Sequence, residues 1–176
     1  MSDIDLLIRA AAFAAHKHRD QRRKDAAATP YINHPLALAR VLSAEGRVGD
    51  IATLCGALLH DTIEDTETTA AEIEQHFGAE IRSIVEEVTD DKSLPKAARK
   101  QAQIDHASHL STKAKLVKLA DKIANLRDVA TSPPVRWTLE RRQEYFDWAK
   151  RVVDPLRGVH AGLEQVFDLA FSARPQ

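Results

Sequence analysis

Apolar residues recur at helical spacing along almost the whole chain. Near the start, Ile4, Leu7 and Ile8 are three and four residues apart, as on one face of an amphipathic helix. The same period predicts helices over residues 3–19, 35–46, 51–60, 70–77, 79–90, 95–106, 112–129, 136–153 and 156–172. No stretch alternates apolar and polar residues with the period of two that is typical of a half-buried strand. We therefore predict one all-α domain over residues 1–176, a bundle of about eight or nine helices.

Several residues mark the expected ends of these helices. Asp50 is a candidate N-cap before segment 51–60, which is apolar around most of its circumference, as in a helix at the centre of a bundle. Thr69 and Ser111 stand in the same position before two later helices, and Pro155 separates the last two.

Composition narrows the class of protein. Lys and Arg total 25 against 26 Asp and Glu, a net charge of −1, which disfavours a nucleic-acid binder held by overall basicity. The single cysteine, Cys55, can form neither an internal disulfide nor a multi-cysteine zinc site. No apolar run approaches the roughly 20 residues of a membrane helix, and the acidic N-terminus lacks a signal-peptide pattern. We expect a soluble cytoplasmic protein that binds neither nucleic acid nor membrane.

An adjacent His60-Asp61 pair closes the most apolar predicted helix. Burying a carboxylate there without a partner would cost several kcal/mol, and a divalent cation is the simplest partner for both side chains. Such an ion needs further ligands, which His34 at a predicted helix start and Asp121 within an apolar helix can supply. We predict a metal site formed by these four residues.

Each of these residues also has a structural interpretation. A lone histidine before a proline more often caps a helix, and a lone aspartate such as Asp121 more often pairs with a lysine, here Lys118 or Lys122. The contiguous His60-Asp61 pair is harder to explain in that way, and it favours the metal site.

Glu64 and Asp65 lie one helical turn beyond the His-Asp pair. A metal lowers the pKa of a water that it binds, and a carboxylate one turn away can orient or deprotonate that water, or protonate a leaving oxygen. The alternative is a solvated acidic helix end, because residues 61–67 include four acids. The neighbouring His60-Asp61 pair favours the catalytic interpretation.

A basic cluster at residues 17–24 ends the first predicted helix and leads toward His34. Cations at a helix C-terminus complement the helix dipole, whereas the functional interpretation is phosphate or base recognition beside the metal. The chain has only six glycines and no Gly-rich phosphate loop, so phosphates would need cationic side chains or a metal. Asn125, one turn after Asp121, is expected to face the same site.

Other residues lack such a context. We interpret Cys55 as an inert core residue and Trp137 and Trp148 as packing residues. The remaining histidines outside these motifs are interpreted as surface or packing residues: His16, His76, His106, His109 and His160.

The set His34, His60-Asp61 and Asp121 resembles the HD metal-dependent phosphohydrolase superfamily. Four longer strings resemble the hydrolase domain of RelA/SpoT proteins, above all the stand-alone small alarmone hydrolases of the metazoan SpoT-homologue type. The strings are TPYINHP at 29–35, HDTIEDT at 60–66, VTDDK at 88–92 and LVKLADK at 116–122. The similarity runs from about residue 5 to the final predicted helix, which leaves no length for a synthetase domain.

This resemblance implies hydrolysis of the 3′-pyrophosphate of (p)ppGpp, a guanine-nucleotide alarmone, to GDP or GTP and pyrophosphate. It implies a divalent metal, usually Mn²⁺, although two imidazoles and two carboxylates also accept Zn²⁺, Fe²⁺ or Co²⁺. The implied metal ligands are His34, His60, Asp61 and Asp121, and the implied water-activating pair is Glu64 and Asp65. The implied substrate contacts are Arg23 and Lys24 beside the guanine nucleotide, Asn125 on the nucleoside, and Lys96, Arg141 and Tyr145 on phosphates.

Two alternatives stay open at this point. A phosphohydrolase with the same ligands could act on the 2′-phosphate of NADPH or on a nucleotide monophosphate, and the products would distinguish it. A non-catalytic nucleotide-sensing domain belongs to a different class, which the presence of all four ligands and the Glu-Asp pair disfavours. The sequence leaves the oligomeric state open.

Overall fold

The computed structural model describes residues 2–176, and this part of the chain contains helices but no strands. It holds nine α-helices of eight or more residues and one single-turn helix, which confirms the predicted all-α bundle. The α-helices are α1 Asp3–Lys17, α2 Asn33–Arg40, α3 Ile51–Leu59, α4 Thr62–Asp65, α5 Ala70–Phe77, α6 Ala79–Val88, α7 Lys96–His106, α8 Thr112–Thr131, α9 Leu139–Val153 and α10 Ala161–Ser172. Shorter elements are a π-helical segment at Val41–Glu45 and 3₁₀ turns at Ala107–His109 and Asp154–Leu156.

Side-chain caps begin three helices where the sequence predicted them. The side chains of Asp50, Thr69 and Ser111 each accept a hydrogen bond from the backbone N–H three residues further on. Each bond satisfies one of the amides that a helix start leaves without an intrahelical partner.

The last two helices begin later than predicted. α9 begins at Leu139 rather than at residue 136, because the Thr138 side chain caps it. α10 begins at Ala161 rather than at residue 156, because Gly158 adopts a φ of 93° and His160 caps the helix through Nδ1. His160, which the sequence predicted to be a surface or packing residue, is half-buried and has this additional capping role.

The apolar helix α3 lies at the centre of the bundle, in contact with α1, α2, α6 and α8. Gly56 makes its approach to α6 possible, since a Cβ at this position would lie 2.6 Å from Cγ2 of Ile84. Cys55 is buried and free, as predicted. Within residues 2–176, no helix combines the length and the apolar character needed to cross a bilayer.

The 20-residue α8 packs against α2, α3, α6, α9 and α10. Its apolar residues point inward, as the sequence predicted: Leu116, Leu119, Ala120, Ile123 and Leu126 are buried. A second set of residues on α8, spaced three or four apart, is polar and faces the site described next. We call it the polar stripe of α8, and its members are Lys118, Asp121, Lys122, Asn125 and Asp128.

Candidate active site

The His-Asp pair lies where the central helix breaks. α3 ends at Leu59, one residue before its predicted end, and the chain resumes at Thr62 as the single-turn α4. The Thr62 hydroxyl donates to the carbonyl of Leu59 at 2.6 Å and satisfies one of the carbonyls that the break frees. The interruption places Glu64 and Asp65 on a short helix of their own.

Both imidazoles of the site are buried. Nδ1 of His60 lies 2.8 Å from the carbonyl oxygen of Ala57, so this nitrogen carries the proton and donates. Nε2 of His60 then lies 2.9 Å from Oδ2 of Asp61 but, among residues 2–176, has no hydrogen-bond partner. With the proton on Nδ1, Nε2 of His60 is an acceptor, as is the carboxylate oxygen of Asp61. Two acceptors this close together require an electropositive group between them or beside them.

All four predicted metal ligands converge on this point. His34, His60 and Asp121 each offer a ligand atom, and these atoms lie within 4.8 Å of one another. Nε2 of His34 lies 3.2 Å from Oδ1 of Asp121 and 3.9 Å from Oδ2 of Asp61. Two neutral imidazoles and two carboxylates form a donor set that suits a borderline divalent metal, and the unpartnered Nε2 of His60 faces it.

The charges around the ligands favour a bound cation. Burial alone would raise the pKa of Asp121, but Lys122 and the two imidazoles hold that pKa well below its usual value. Burial would lower the pKa of His60, yet the charges of Asp61 and Asp121 raise it. The site therefore keeps its carboxylates ionised and attracts positive charge.

Three polar side chains hold the two carboxylates. The Tyr31 hydroxyl donates to Oδ2 of Asp61. Asn125 donates from Nδ2 to Oδ1 of Asp121 at 2.6 Å, and Lys122 donates to Oδ2 of the same carboxylate at 3.0 Å. Asn125 thus faces the site as predicted. Tyr31 was missed by the sequence reasoning, although its place three residues before the first histidine ligand could have identified it.

Glu64 and Asp65 line the same cavity as the four ligands, a space of about 190 Å³. Oε2 of Glu64 accepts the backbone N–H of Asp90 at 3.1 Å. Burial raises the pKa of Glu64, although this amide hydrogen bond partly opposes the shift. Asp65 is held from both sides, by Lys92 Nζ at 2.5 Å and by Gln21 Nε2 at 3.2 Å.

A larger cavity of about 390 Å³ opens beside the metal ligands. The two cavities are adjacent and share five lining residues: Arg23, Tyr31, His34, Asp65 and Asn125. Lys24, Trp137 and Tyr145 add to the walls of the larger one. Its volume is in the range of small-molecule sites, and its lining combines aromatic rings with cations.

The members of the basic cluster at residues 17–24 lie in two different surroundings. Lys17 pairs with Glu72 at 3.0 Å, and Arg22 donates to the carbonyl of Arg19 at 2.8 Å, close to the end of α1. Arg23 instead enters the larger cavity, where Nη2 donates to Oδ2 of Asp128 at 2.6 Å. Lys17 and Arg22 therefore have the structural role near the end of α1, whereas Arg23 lines the cavity beside the His-Asp pair.

His18 was counted in that cluster, but the structure buries it. Its Nδ1 lies 2.6 Å from Oε1 of Gln21, and its ring centroid is 4.8 Å from that of Tyr31. Gln21 also contacts Asp65, so His18 supports two residues of the site from behind.

The tryptophans do more than pack. Trp137 lines the larger cavity, and the guanidinium of Arg141 lies 4.7 Å over its ring. Trp148 carries two ammonium groups over its ring, Lys122 at 4.3 Å and Lys100 at 4.7 Å. Both rings also pack against the hydrophobic core, as predicted.

Tyr145 is in the cavity wall, whereas Lys96 and Arg141 are exposed and belong to neither cavity lining that the structure describes. Burial, and after it the charges of Lys96, Lys122 and Arg141, lower the pKa of Lys100. Of the three predicted phosphate contacts, Lys96 and Arg141 therefore belong, with Lys100 and Lys122, to a set of cations beside the site that we call the cationic rim.

Comparisons with known proteins agree with this geometry. A family model described as HD domain matches residues 10–147. Proteins named guanosine-3′,5′-bis(diphosphate) 3′-pyrophosphohydrolase MESH1 are similar over nearly their whole length. The one from Xenopus tropicalis is 59% identical over 170 residues, 97% of this chain and 95% of its own. The one from Homo sapiens is 54% identical over 173 residues, 98% of this chain and 97% of its own.

Solved structures show the same fold. One, described as a metazoan ortholog of SpoT that hydrolyzes ppGpp and plays a role in starvation responses, has a TM-score of 0.93 at 48% identity. The match covers 96% of this chain and 95% of the other. A protein from Listeria monocytogenes EGD-e has a TM-score of 0.66 at 27% identity, over 84% of this chain and 97% of the other.

Proposed function

The chain belongs to the HD domain family, and we propose that it is a metal-dependent guanosine-3′,5′-bis(diphosphate) 3′-pyrophosphohydrolase. The reaction would release pyrophosphate and leave GDP from ppGpp or GTP from pppGpp. One observation carries this conclusion: two buried imidazoles and two partly buried carboxylates converge beside two adjacent cavities that share lining residues. Relatives of nearly the same length bear this activity in their names. We also propose a cytoplasmic location, which a lone, buried thiol favours.

His34, His60, Asp61 and Asp121 would hold the metal, for which we propose Mn²⁺. The same donors accept Fe²⁺, Co²⁺ or Zn²⁺, so the metal that the cell supplies would decide. When bound, the ion would polarise the 3′-phosphoryl group and lower the pKa of the attacking water.

Glu64 is the best-placed group to receive the proton of the attacking water. Its Oε2 accepts the Asp90 amide, the other carboxylate oxygen would take that proton, and the residue lines the 190 Å³ cavity together with the proposed metal ligands. Burial brings its pKa closer to neutrality, where general-base catalysis is most effective. Asp65, held in place by Lys92 and Gln21, would orient the same water.

The larger cavity would hold the guanosine. Arg23 lies 5.7 Å from the centroid of the Tyr31 ring and is anchored by Asp128, so its planar group is available for stacking or for a bidentate phosphate contact. Lys24 and the rings of Trp137 and Tyr145 complete the walls. The remaining phosphates would extend toward the cationic rim formed by Lys96, Lys100, Lys122 and Arg141.

Product analysis tests the reaction. The metal-loaded protein is expected to release pyrophosphate and GDP from ppGpp, as measured by chromatography and a pyrophosphate assay. Protein stripped of metal with a chelator, and then reloaded, is the control. Orthophosphate released from NADPH or from a nucleotide monophosphate, with ppGpp left intact, would establish the alternative reaction instead.

Arg23→Ala tests the nucleotide contact. We expect KM for ppGpp to rise roughly tenfold or more while kcat changes little, since a charge-assisted contact is lost in both ground and transition states. Arg23→Lys should rescue poorly, because an ammonium neither stacks on a base nor binds bidentately. The matched control is Arg19→Ala, which changes an arginine that contacts the carbonyl of His16 at the end of α1. Unchanged steady-state constants in Arg23→Ala would rule out the contact.

A further inference from the structure

Glu64 is held at the site from outside its own helix. Its Oε2 accepts the backbone N–H of Asp90, which lies two residues beyond the end of α6. α4 is a single turn, and a helix of this length has little stability of its own. The direction of the Glu64 carboxylate therefore depends on where the segment after α6 places the Asp90 amide.

Two side chains from other helices hold that segment. Lys118 of α8 donates from Nζ to the carbonyl oxygen of Val88 at 3.0 Å, and Gln103 of α7 donates from Nε2 to Oδ2 of Asp90 at 2.6 Å. Val88 is the last residue of α6, so its carbonyl is one of those left without an intrahelical partner. The ammonium caps α6 at the negative end of its dipole and fixes the direction in which the chain leaves the helix.

Packing alone does not explain a lysine at this position. Lys118 is 8% exposed, and burial lowers the pKa of its ammonium. A buried ammonium costs several kcal/mol, whereas a methionine of similar length would fill the same space without that cost. Lys118, Asp90 and Gln103 all line both the metal cavity and a third cavity of about 230 Å³, so together they form the wall between the two.

We propose that Lys118 is a positioning residue for Glu64. By holding the carbonyl of Val88, its ammonium fixes the Asp90 amide and thereby orients the carboxylate that receives the proton of the attacking water. Lys118 itself touches neither the substrate nor the reacting atoms in this role. The inference rests on the proposed function, because it assumes that Glu64 acts on that water.

The test is a double-mutant cycle of Lys118→Met and Glu64→Gln, with steady-state ppGpp hydrolysis and metal content measured for each protein. In the wild-type background, Lys118→Met is expected to lower kcat roughly 10- to 100-fold, with KM and metal content unchanged. In the Glu64→Gln background, the same substitution should change the residual kcat by less than about twofold, because the group that Lys118 positions is already inactive.

Lys115→Met is the matched control, since it makes the same change one turn earlier on α8 and should leave kcat unchanged in both backgrounds. The proposal is overturned if Lys118→Met lowers kcat by the same factor with and without Glu64, raises KM, or releases the metal. If Lys118→Met does not fold, Gln103→Met takes its place in the cycle. Gln103→Met removes the hydrogen bond by which α7 holds the Asp90 side chain. The same results in the cycle then support or overturn the proposal.

The cycle separates this proposal from the proposed function. If no pyrophosphate is released from ppGpp, or if Glu64→Gln keeps full turnover, the reaction or its general base is misassigned and the positioning role fails with it. If Glu64→Gln loses turnover and Lys118→Met multiplies that loss, the proposed function stands and the positioning role alone is wrong.

Discussion

Asp61→Ala is expected to lose both the bound divalent metal and the hydrolysis of ppGpp. The substitution removes the carboxylate that we propose as a ligand, whose Oδ2 lies 2.9 Å from Nε2 of His60 and 3.9 Å from Nε2 of His34. It also deprives the Tyr31 hydroxyl of its acceptor. A metal contributes several kcal/mol of transition-state stabilisation, so we expect kcat/KM to fall at least about 10³-fold.

Metal content measured on the purified protein, together with turnover in metal-saturated buffer, checks this prediction. Asp20→Ala is the matched control, because the Asp20 side chain is 91% exposed at the end of the α1 region. Full metal occupancy and a normal rate in Asp61→Ala would show that Asp61 is not a ligand.

Glu64→Gln is expected to keep the fold and the metal but to lose turnover by roughly 10²–10⁴-fold. The amide has the shape of the carboxylate, and its oxygen can still accept the Asp90 N–H, but it cannot take a proton from water. Circular dichroism, metal content and kcat measured on one preparation separate these effects.

Glu67→Gln is the matched control for this substitution. Glu67 lies one turn further along, its side chain is 74% exposed, and it pairs with Lys17 away from the ligands. Near-normal turnover in metal-loaded Glu64→Gln would transfer the proton-accepting role to Asp65 or to the metal alone.

The four proposed metal ligands could be selected from the sequence because each stands at a local anomaly. His60-Asp61 follows a strongly apolar helix, Asp121 follows the apolar residues Leu119 and Ala120, and His34 precedes a proline at a helix start. Polar groups at such positions need partners when buried, and this requirement is visible without coordinates.

The residues that support the site could not be found in this way. Lys118 sits in the LVKLADK string and was weighed only as an ion-pair partner for Asp121, whereas the structure bonds it to Val88 of α6. Gln103 lies on a predicted polar helix whose position against the site is set by tertiary packing. Such contacts join elements far apart in sequence, so periodicity and spacing do not predict them.

The late starts of α9 and α10 have a local cause. Apolar residues continue at helical spacing before both helices, so the period extends beyond the true ends. Thr138 and His160 determine where the helices begin, and a histidine is not among the usual N-cap residues. The sequence therefore predicts that α9 and α10 exist, but it does not predict the residues at which they begin.

Because the residues of the polar stripe all lie on α8, this one helix sets the distances between the parts of the site. The helix carries Lys118 near the Glu64 segment, Asp121 at the proposed metal site and Asp128 at Arg23. At 1.5 Å per residue, these positions span roughly 15 Å along the helix axis. Inserting one residue between Lys118 and Asp128 would turn everything beyond it by about 100°. Evolution can lengthen the surface loops of such a protein without changing its chemistry. In α8, by contrast, side chains can be exchanged, but adding or removing a residue would change the register of the polar stripe and separate the parts of the site.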